Sequence, residues 1–394
     1  MTERTTLPPD DTDQTAPPTG TAAPHEEDAR PQGEGVPAPA DAATPPPAPA
    51  DGPAPARGAA ERAPSEVRDA DEGRRRHYGH FYGLEPLPEG DILTVMGGCQ
   101  AEATRRLLCG EPGQAEDGTP ASVRVPPMFE LGPDDLPHLL ALLERTTVLV
   151  VKPVRADYQG LPLGIDQLES LIPDGARSIR VPVLYDTSRF PWQVTLRHPQ
   201  RPWEDPPVVP YHDLRTVAEA AAQEGLIPWP AALRRPGQDD DGGAPRLPLS
   251  AAAIRGFAEE SVQRLREREE RFGTVVVSGA VAAERGAGFH SANHPDNPLL
   301  EQLARAVLAE LGVAKEVRAP DRLLLGHVLS PIEGQIVDAL GLDIEPREHW
   351  LVGGEPVSDA DVREAHLGWF RDNPEALAPG LERHGALMRQ LGLL

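Results

Sequence analysis

Asp91-Ile-Leu-Thr-Val-Met96-Gly97-Gly98-Cys99-Gln100-Ala101-Glu-Ala-Thr104-Arg-Arg-Leu107-Leu108 is the stretch that decides the fold. Its first six residues form a short, β-rich apolar run without polar alternation, which is how a strand covered on both faces reads. Two glycines punctuate the run. From Ala101 the period becomes helical, with Ala101, Thr104, Leu107 and Leu108 on one face. A buried strand, a glycine turn and a helix open a βαβ unit. The alternation then returns downstream. A helix is expected over residues 134–145, a second buried strand over 146–151 (Thr-Thr-Val-Leu-Val-Val), a third over 178–185 and a helix over 213–224. Ser250 caps a long charged helix ending near Phe272, Thr274-Val-Val-Val-Ser278 reads as a further strand, and residues 298–311 form an amphipathic helix.

The 394 residues carry 62 acidic against 38 basic side chains, a formal net charge of −24. Residues 1–72 hold 15 of the 46 prolines, 15 acidic side chains against 5 arginines, and no Phe, Trp or Tyr. Such a segment buries too little apolar surface to offset its ordering entropy and is expected to be a disordered leader. The expected organisation is therefore a leader over 1–73, an α/β catalytic domain over 77–312 and a small helical extension over 313–394. Two cysteines exclude a disulfide scaffold or a cysteine-rich zinc module. No apolar run reaches 18 residues and the first residues lack a signal-peptide core, which makes the cytoplasm the default location. The acidic balance argues against nucleic acid as a partner. The one basic run, Arg74-Arg75-Arg76, lies beside His77, Tyr78, His80, Phe81 and Tyr82, rings better suited to anchoring the start of the fold than to stacking on bases. Asp239-Asp240-Asp241 reads as a solvated acidic loop.

Three segments could carry chemistry. Gly97-Gly98-Cys99-Gln100 places a thiol at the amino end of a helix, where the macrodipole and free N–H groups favour thiolate and could bind an oxyanion. The plainer alternative is a small buried cysteine; Cys109, further along the helix, is read that way. Phe289-His290-Ser291-Ala292-Asn293-His294-Pro295 is a polar loop suited to general-base work by His290 or His294 and to orienting a carbonyl through Asn293. Pro295 disfavours a helical metal pair there, and Asn293 or Asp296 could simply cap the next helix. Lys152-Pro-Val-Arg155-Ala-Asp157-Tyr158-Gln159-Gly160 follows a buried strand, where open α/β sheets place ligands; Arg155 can clamp a phosphate and Tyr158 can hydrogen-bond. No metal site is expected.

The order, nucleophile after the first strand and histidine late in the chain, is similar to the strategy of SGNH-type hydrolases. Val95-Met-Gly97-Gly98-Cys99-Gln100-Ala-Glu further resembles the Gly-Asn-Cys-Gln signature of the WcbI family of capsular polysaccharide biosynthesis proteins. Phe289 to Pro298 resembles that family's late His-x-x-Asn-His-Pro segment. The resemblance covers about residues 90–312. It implies a three-layer α/β fold with a mainly parallel sheet, SGNH- or Rossmann-like, and acyl transfer from CoA, as acetyl-CoA, to a hydroxyl of a sugar or glycan precursor. On that reading Cys99, His290 and His294 are catalytic, while Gly97, Gly98, Gln100, Asn293, Arg155 and Tyr158 hold substrate or cofactor. CoA rests on the resemblance alone, since the chain has neither a G-x-G-x-x-G nor a G-x-x-x-x-G-K-[ST] motif. Gly98 departs from the family's asparagine. A Cys-nucleophile esterase or deacylase, and a non-catalytic nucleotide- or glycan-binding member, remain the alternatives.

Overall fold

The computed structural model describes residues 72–201, 204–234 and 247–394. The expected leader, save its last two residues, and the acidic loop at Asp239–Asp241 lie outside the described residues. The order of elements begins with helical residues 72–77 (α1), followed by β1 (Ile92–Met96), α2 (Gln100–Cys109), β2 (Ala121–Val123), α3 (Leu136–Leu143) and β3 (Val148–Val151). Next come α4 (Ile165–Glu169), β4 (Arg177–Arg180), β5 (Gln193–Val194), β6 (His212–Asp213), α5 (Leu214–Gln223), α6 (Ala251–Phe272) and α7 (Ser278–Ala283). The chain ends with β7 (Phe289–Ser291), β8 (His294–Pro295), α8 (Asn297–Leu311), β9 (Val328–Leu329), α9 (Gly334–Leu340), β10 (Trp350–Val352), β11 (Glu355–Val357), α10 (Asp359–Asp372) and α11 (Leu377–Gln390).

The central sheet has the order β2-β1-β3-β4 and is parallel throughout. Every residue of β1 and β3 is buried. Strand pleating sends alternate side chains to opposite faces. Leu93, Val95, Val148, Val150 and Ile179 accordingly join α2 and α8 in one core, through Ala103, Leu107, Leu108, Leu300, Leu303 and Val307. Ile92, Met96, Val123, Leu149 and Val151 join α3 in a second core, through Leu139, Leu142 and Leu143. Two helical layers thus enclose one sheet, the α/β arrangement expected from the apolar runs. The rings beside the basic run anchor the start of the fold: Phe81 and Tyr82 are buried in the second core, and Tyr82 Oη donates to Asp135 at 2.8 Å.

Some expectations need correction. Residues 274–278 do not form a strand. One ladder-like bond reaches the sheet, from Val275 N to Arg180 O at 2.9 Å, and the next amides turn away because the buried Glu269 carboxylate accepts from Val277 N (2.7 Å) and Ser278 N (2.9 Å), starting α7. Residues 289–295, read as a loop, are the tight antiparallel pair β7–β8. Beyond residue 313 the chain forms helices α9, α10 and α11, and with them an antiparallel sheet of order β11-β10-β9 that a purely helical extension does not include.

Candidate active site

Strand order fixes where a ligand can enter. From β1 the chain crosses to β2 on one side, whereas from β3 it crosses to β4 on the other. The crevice at the carboxyl ends of β1 and β3 is the topological switch point, where open α/β sheets bind ligands. A pocket occupies that position. Gly97, Gly98, Cys99 and Gln100 line it after β1, Phe129 after β2, Lys152 and Tyr158 after β3, and Asn293 from the β7–β8 turn. Val95, Met96, Met128, Val154 and Leu303 make much of the remaining wall apolar. Its volume is about 50 Å³, room for roughly four water-sized occupants.

Cys99 is the N-cap residue of α2 and is half-buried, with neither cysteine in a disulfide. The thiol therefore stands at the amino end of α2, where free first-turn N–H groups can bind a developing oxyanion. An ideal Cβ on Gly97 would sit 3.4 Å from the Cβ atoms of Ala101 and Lys152, at the near edge of ordinary contact. Cys109 is buried, and burial raises its thiol pKa, consistent with a structural cysteine.

Gln100 braces the pocket. Its Nε2 donates to Leu184 O and Asn293 O, both at 2.8 Å, and its Oε1 accepts from Leu184 N at 3.2 Å. Both amide hydrogens are thus committed to main-chain carbonyls, which ties the β1 turn to the β7–β8 turn. Asn293 is buried and anchored a second time, because Tyr211 Oη donates to its Oδ1 at 2.8 Å. The cap of α8 is Asp296, whose carboxylate accepts from Leu299 N at 3.2 Å, leaving Asn293 to the pocket.

The two histidines differ. His290 is 5% exposed, and its Nε2 is buried without a hydrogen-bond partner. His294 is half-buried, and its Nδ1 lies 3.5 Å from Tyr211 Oη. Burial pushes the His290 pKa down to about 4, helped by the Arg347 charge. Burial, then the neighbouring His290, takes His294 to about 4 as well. Both rings are neutral at pH 7. Neither lines the pocket, and the exposed Arg155 does not line it either. Lys152 and Tyr211 were not singled out from sequence. Lys152 was within reach, as the first residue after a buried strand; Tyr211 had no local signal, since its partner is 82 positions away. Among the described residues no cluster of three His, Cys, Asp or Glu side chains could hold a metal ion, and no helix is long and apolar enough to cross a membrane.

Residues 92–316 match the family described as polysaccharide biosynthesis enzyme WcbI, more than half of the chain. The chain belongs to the WcbI family. A solved structure of WcbI, described as a novel polysaccharide biosynthesis enzyme, superposes with a TM-score of 0.59 at 17% identity, covering 77% of this chain and 98% of that one. That likeness shows a shared fold. The neighbour is described as native protein without a disulfide bond between CoA and one of its cysteines. No curated protein matches.

Proposed function

We propose that this WcbI-family chain transfers an acetyl group from acetyl-CoA to a hydroxyl of a sugar or glycan precursor. The observation that carries the reading is a pocket at the switch point lined by Cys99, at the amino end of α2, and by Asn293. Membership in a family of polysaccharide biosynthesis enzymes, and the CoA named for the WcbI structure, support the choice of donor and acceptor. The residues fit such a donor. An apolar wall suits a thioester head, and Lys152 and Tyr158 after β3 supply a cation and a hydroxyl for the polar part of CoA.

In the proposed reaction the Cys99 thiolate attacks the thioester carbonyl, and the electron pair of the broken C–S bond leaves with CoA. The oxyanion of each tetrahedral intermediate is held by the first-turn amides of α2 and by the Asn293 amide. The acceptor hydroxyl then attacks the acyl-cysteine, His294 takes its proton, and Cys99 leaves as thiolate. His294 is chosen over His290 because its Nδ1 lies 3.5 Å from the Tyr211 hydroxyl that also holds Asn293.

Calorimetric titration of the full chain with CoA and acetyl-CoA tests the donor. Micromolar binding that weakens at least tenfold in Lys152→Ala is expected; no binding to either ligand would sink the reading. Cys99→Ser should lower transfer by several orders of magnitude while keeping CoA affinity, because a serine hydroxyl stays protonated at pH 7. Unchanged turnover would remove Cys99 from the mechanism. The small pocket also predicts chain-length selectivity. Acetyl-CoA should react much faster than hexanoyl-CoA, and equal rates would show that the acyl group does not enter this pocket.

A further inference from the structure

We infer that Phe129 sets the length of the acyl group this chain accepts, its ring taking up space in the pocket that a longer acyl chain would need. The inference rests on the acyl-transfer reading and names the residue that gives the same site its donor specificity. Most of the apolar wall consists of side chains that the fold itself needs. Val95, Val181 and Leu303 belong to the first core, and Met96 and Met128 to the second. The other ring of the wall, that of Tyr158, packs against the second core. Phe129 lines the same pocket, is half-buried and belongs to neither core. It is the largest apolar side chain of the wall so placed. A phenylalanine normally buries its broad apolar surface in a core; here part of that surface goes to the pocket.

The ring also stands beside the reacting group. Its Cε1 lies 3.9 Å from the point that a Cβ on Gly98 would occupy, so it borders the turn that carries Cys99. An acyl chain held at Cys99 therefore starts within reach of this ring. The backbone beneath the ring is the short 3₁₀ turn Met128–Glu130, and it is tied down at both ends. Met128 N donates to Gly97 O at 2.8 Å, and the Met128 side chain is 2% exposed in the second core. At the other end Glu130 O accepts from Arg74 Nη2 at 3.2 Å. Pro126 and Pro127 stiffen the approach. A turn fixed in this way keeps its place when the ring is cut back, so truncation leaves room where the ring was. Apolar pockets discriminate by about 10- to 200-fold per methylene, and hexanoyl is four methylenes longer than acetyl, so one ring in the way is enough to select the donor.

The experiment follows CoA released from acetyl-, butyryl- and hexanoyl-CoA by the full chain, read by chromatography after an acid quench, for the wild type, Phe129→Ala and Phe129→Leu. The protein is kept in excess, so a single acylation of Cys99 is enough and no sugar acceptor is needed. The bond from the acyl carbon to the CoA sulfur breaks, a bond to the Cys99 sulfur forms, and CoA leaves as thiolate and takes a proton from water. The hexanoyl-to-acetyl rate ratio is expected to rise at least about tenfold in Phe129→Ala and by a smaller factor in Phe129→Leu, with butyryl-CoA in between. A ring that only supports the fold would lower all three rates together and leave the ratio unmoved, and that result overturns the inference. A wild type that handles the three acyl groups equally overturns it too. Should Phe129→Ala fail to fold, judged by its melting temperature, Phe129→Leu decides on the same ratio, because it keeps an apolar side chain there. A wild type that releases no CoA from any donor takes down the acyl-transfer reading and this inference together; wild-type release that favours acetyl, with the ratio unchanged in the variants, removes the inference alone.

Discussion

At position 98 the chain has glycine where the WcbI-type signature it resembles has asparagine, and the structure shows that the site does not require the smaller residue. An ideal Cβ on Gly98 would meet only Phe129 Cε1, at 3.9 Å, an ordinary contact, and its backbone is outside the left-handed region. A Cβ on Gly97 would lie 3.4 Å from those of Ala101 and Lys152, which makes it the tighter of the two positions. Gly98→Asn should therefore fold without loss. It should even stabilise slightly, by about 0.4–1 kcal/mol, since replacing glycine at a compatible backbone position restricts the unfolded chain. The added amide would also stand beside the Cys99 turn as a further oxyanion donor. The expected outcome is an unchanged or slightly raised melting temperature together with faster CoA release; a fall of several degrees would show that the turn needs glycine after all.

Among the elements, α7 shows how one buried charge redirects a segment whose sequence favours extended backbone. Thr274-Val-Val-Val277 carries the β-branched composition of a strand, yet Glu269, 4% exposed, captures the amides of Val277 and Ser278 and nucleates a helix instead. Glu269→Gln keeps the size but loses the charge-assisted character of both bonds. A loss of about 1–3 kcal/mol is expected in urea unfolding, with CoA affinity preserved because Glu269 does not line the pocket. No change in unfolding midpoint would mean that the carboxylate does not hold the turn. Elements set by local periodicity were legible: β1, β3, α2, α6 and α8 formed close to where their apolar patterns place them. Those resting on a distant partner were not. Strands β7 to β9 span two or three residues each, too few for a period, and β4 formed only over Arg177–Arg180, beginning with two exposed residues. The site divides the same way. Cys99, Gln100 and Asn293 announced themselves by residue type and placement and share the pocket, whereas Tyr211 contributes through hydrogen bonds across about 80 positions that no window contains.

Over the whole molecule, buried neutral imidazoles couple folding to pH. Burial holds His290, His294, His366 and His384 down to about 4, and pushes the fully enclosed His212, whose ring nitrogens both lack partners, well below its ordinary value. In the unfolded chain these rings titrate near 6.5. The folded pKa values are depressed, so the unfolded state binds more protons in between, and stability falls as pH drops from about 6.5 towards 4. Each such histidine contributes a slope of up to about 1.4 kcal/mol per pH unit within that window. The charge of −24 works in the opposite direction, because acidification relieves self-repulsion in the compact state. Salt separates the two: at 0.5 M ionic strength long-range repulsion is screened, whereas exclusion of a charged imidazole from the interior is not. Urea midpoints measured in high salt should therefore decline steeply between pH 6.5 and 5. His212→Leu, which removes one titrating ring from the apolar setting of Trp369 and Phe370, should flatten that decline. Midpoints independent of pH over this range, or a variant with the wild-type slope, would show that these rings stay accessible to protons in the folded protein.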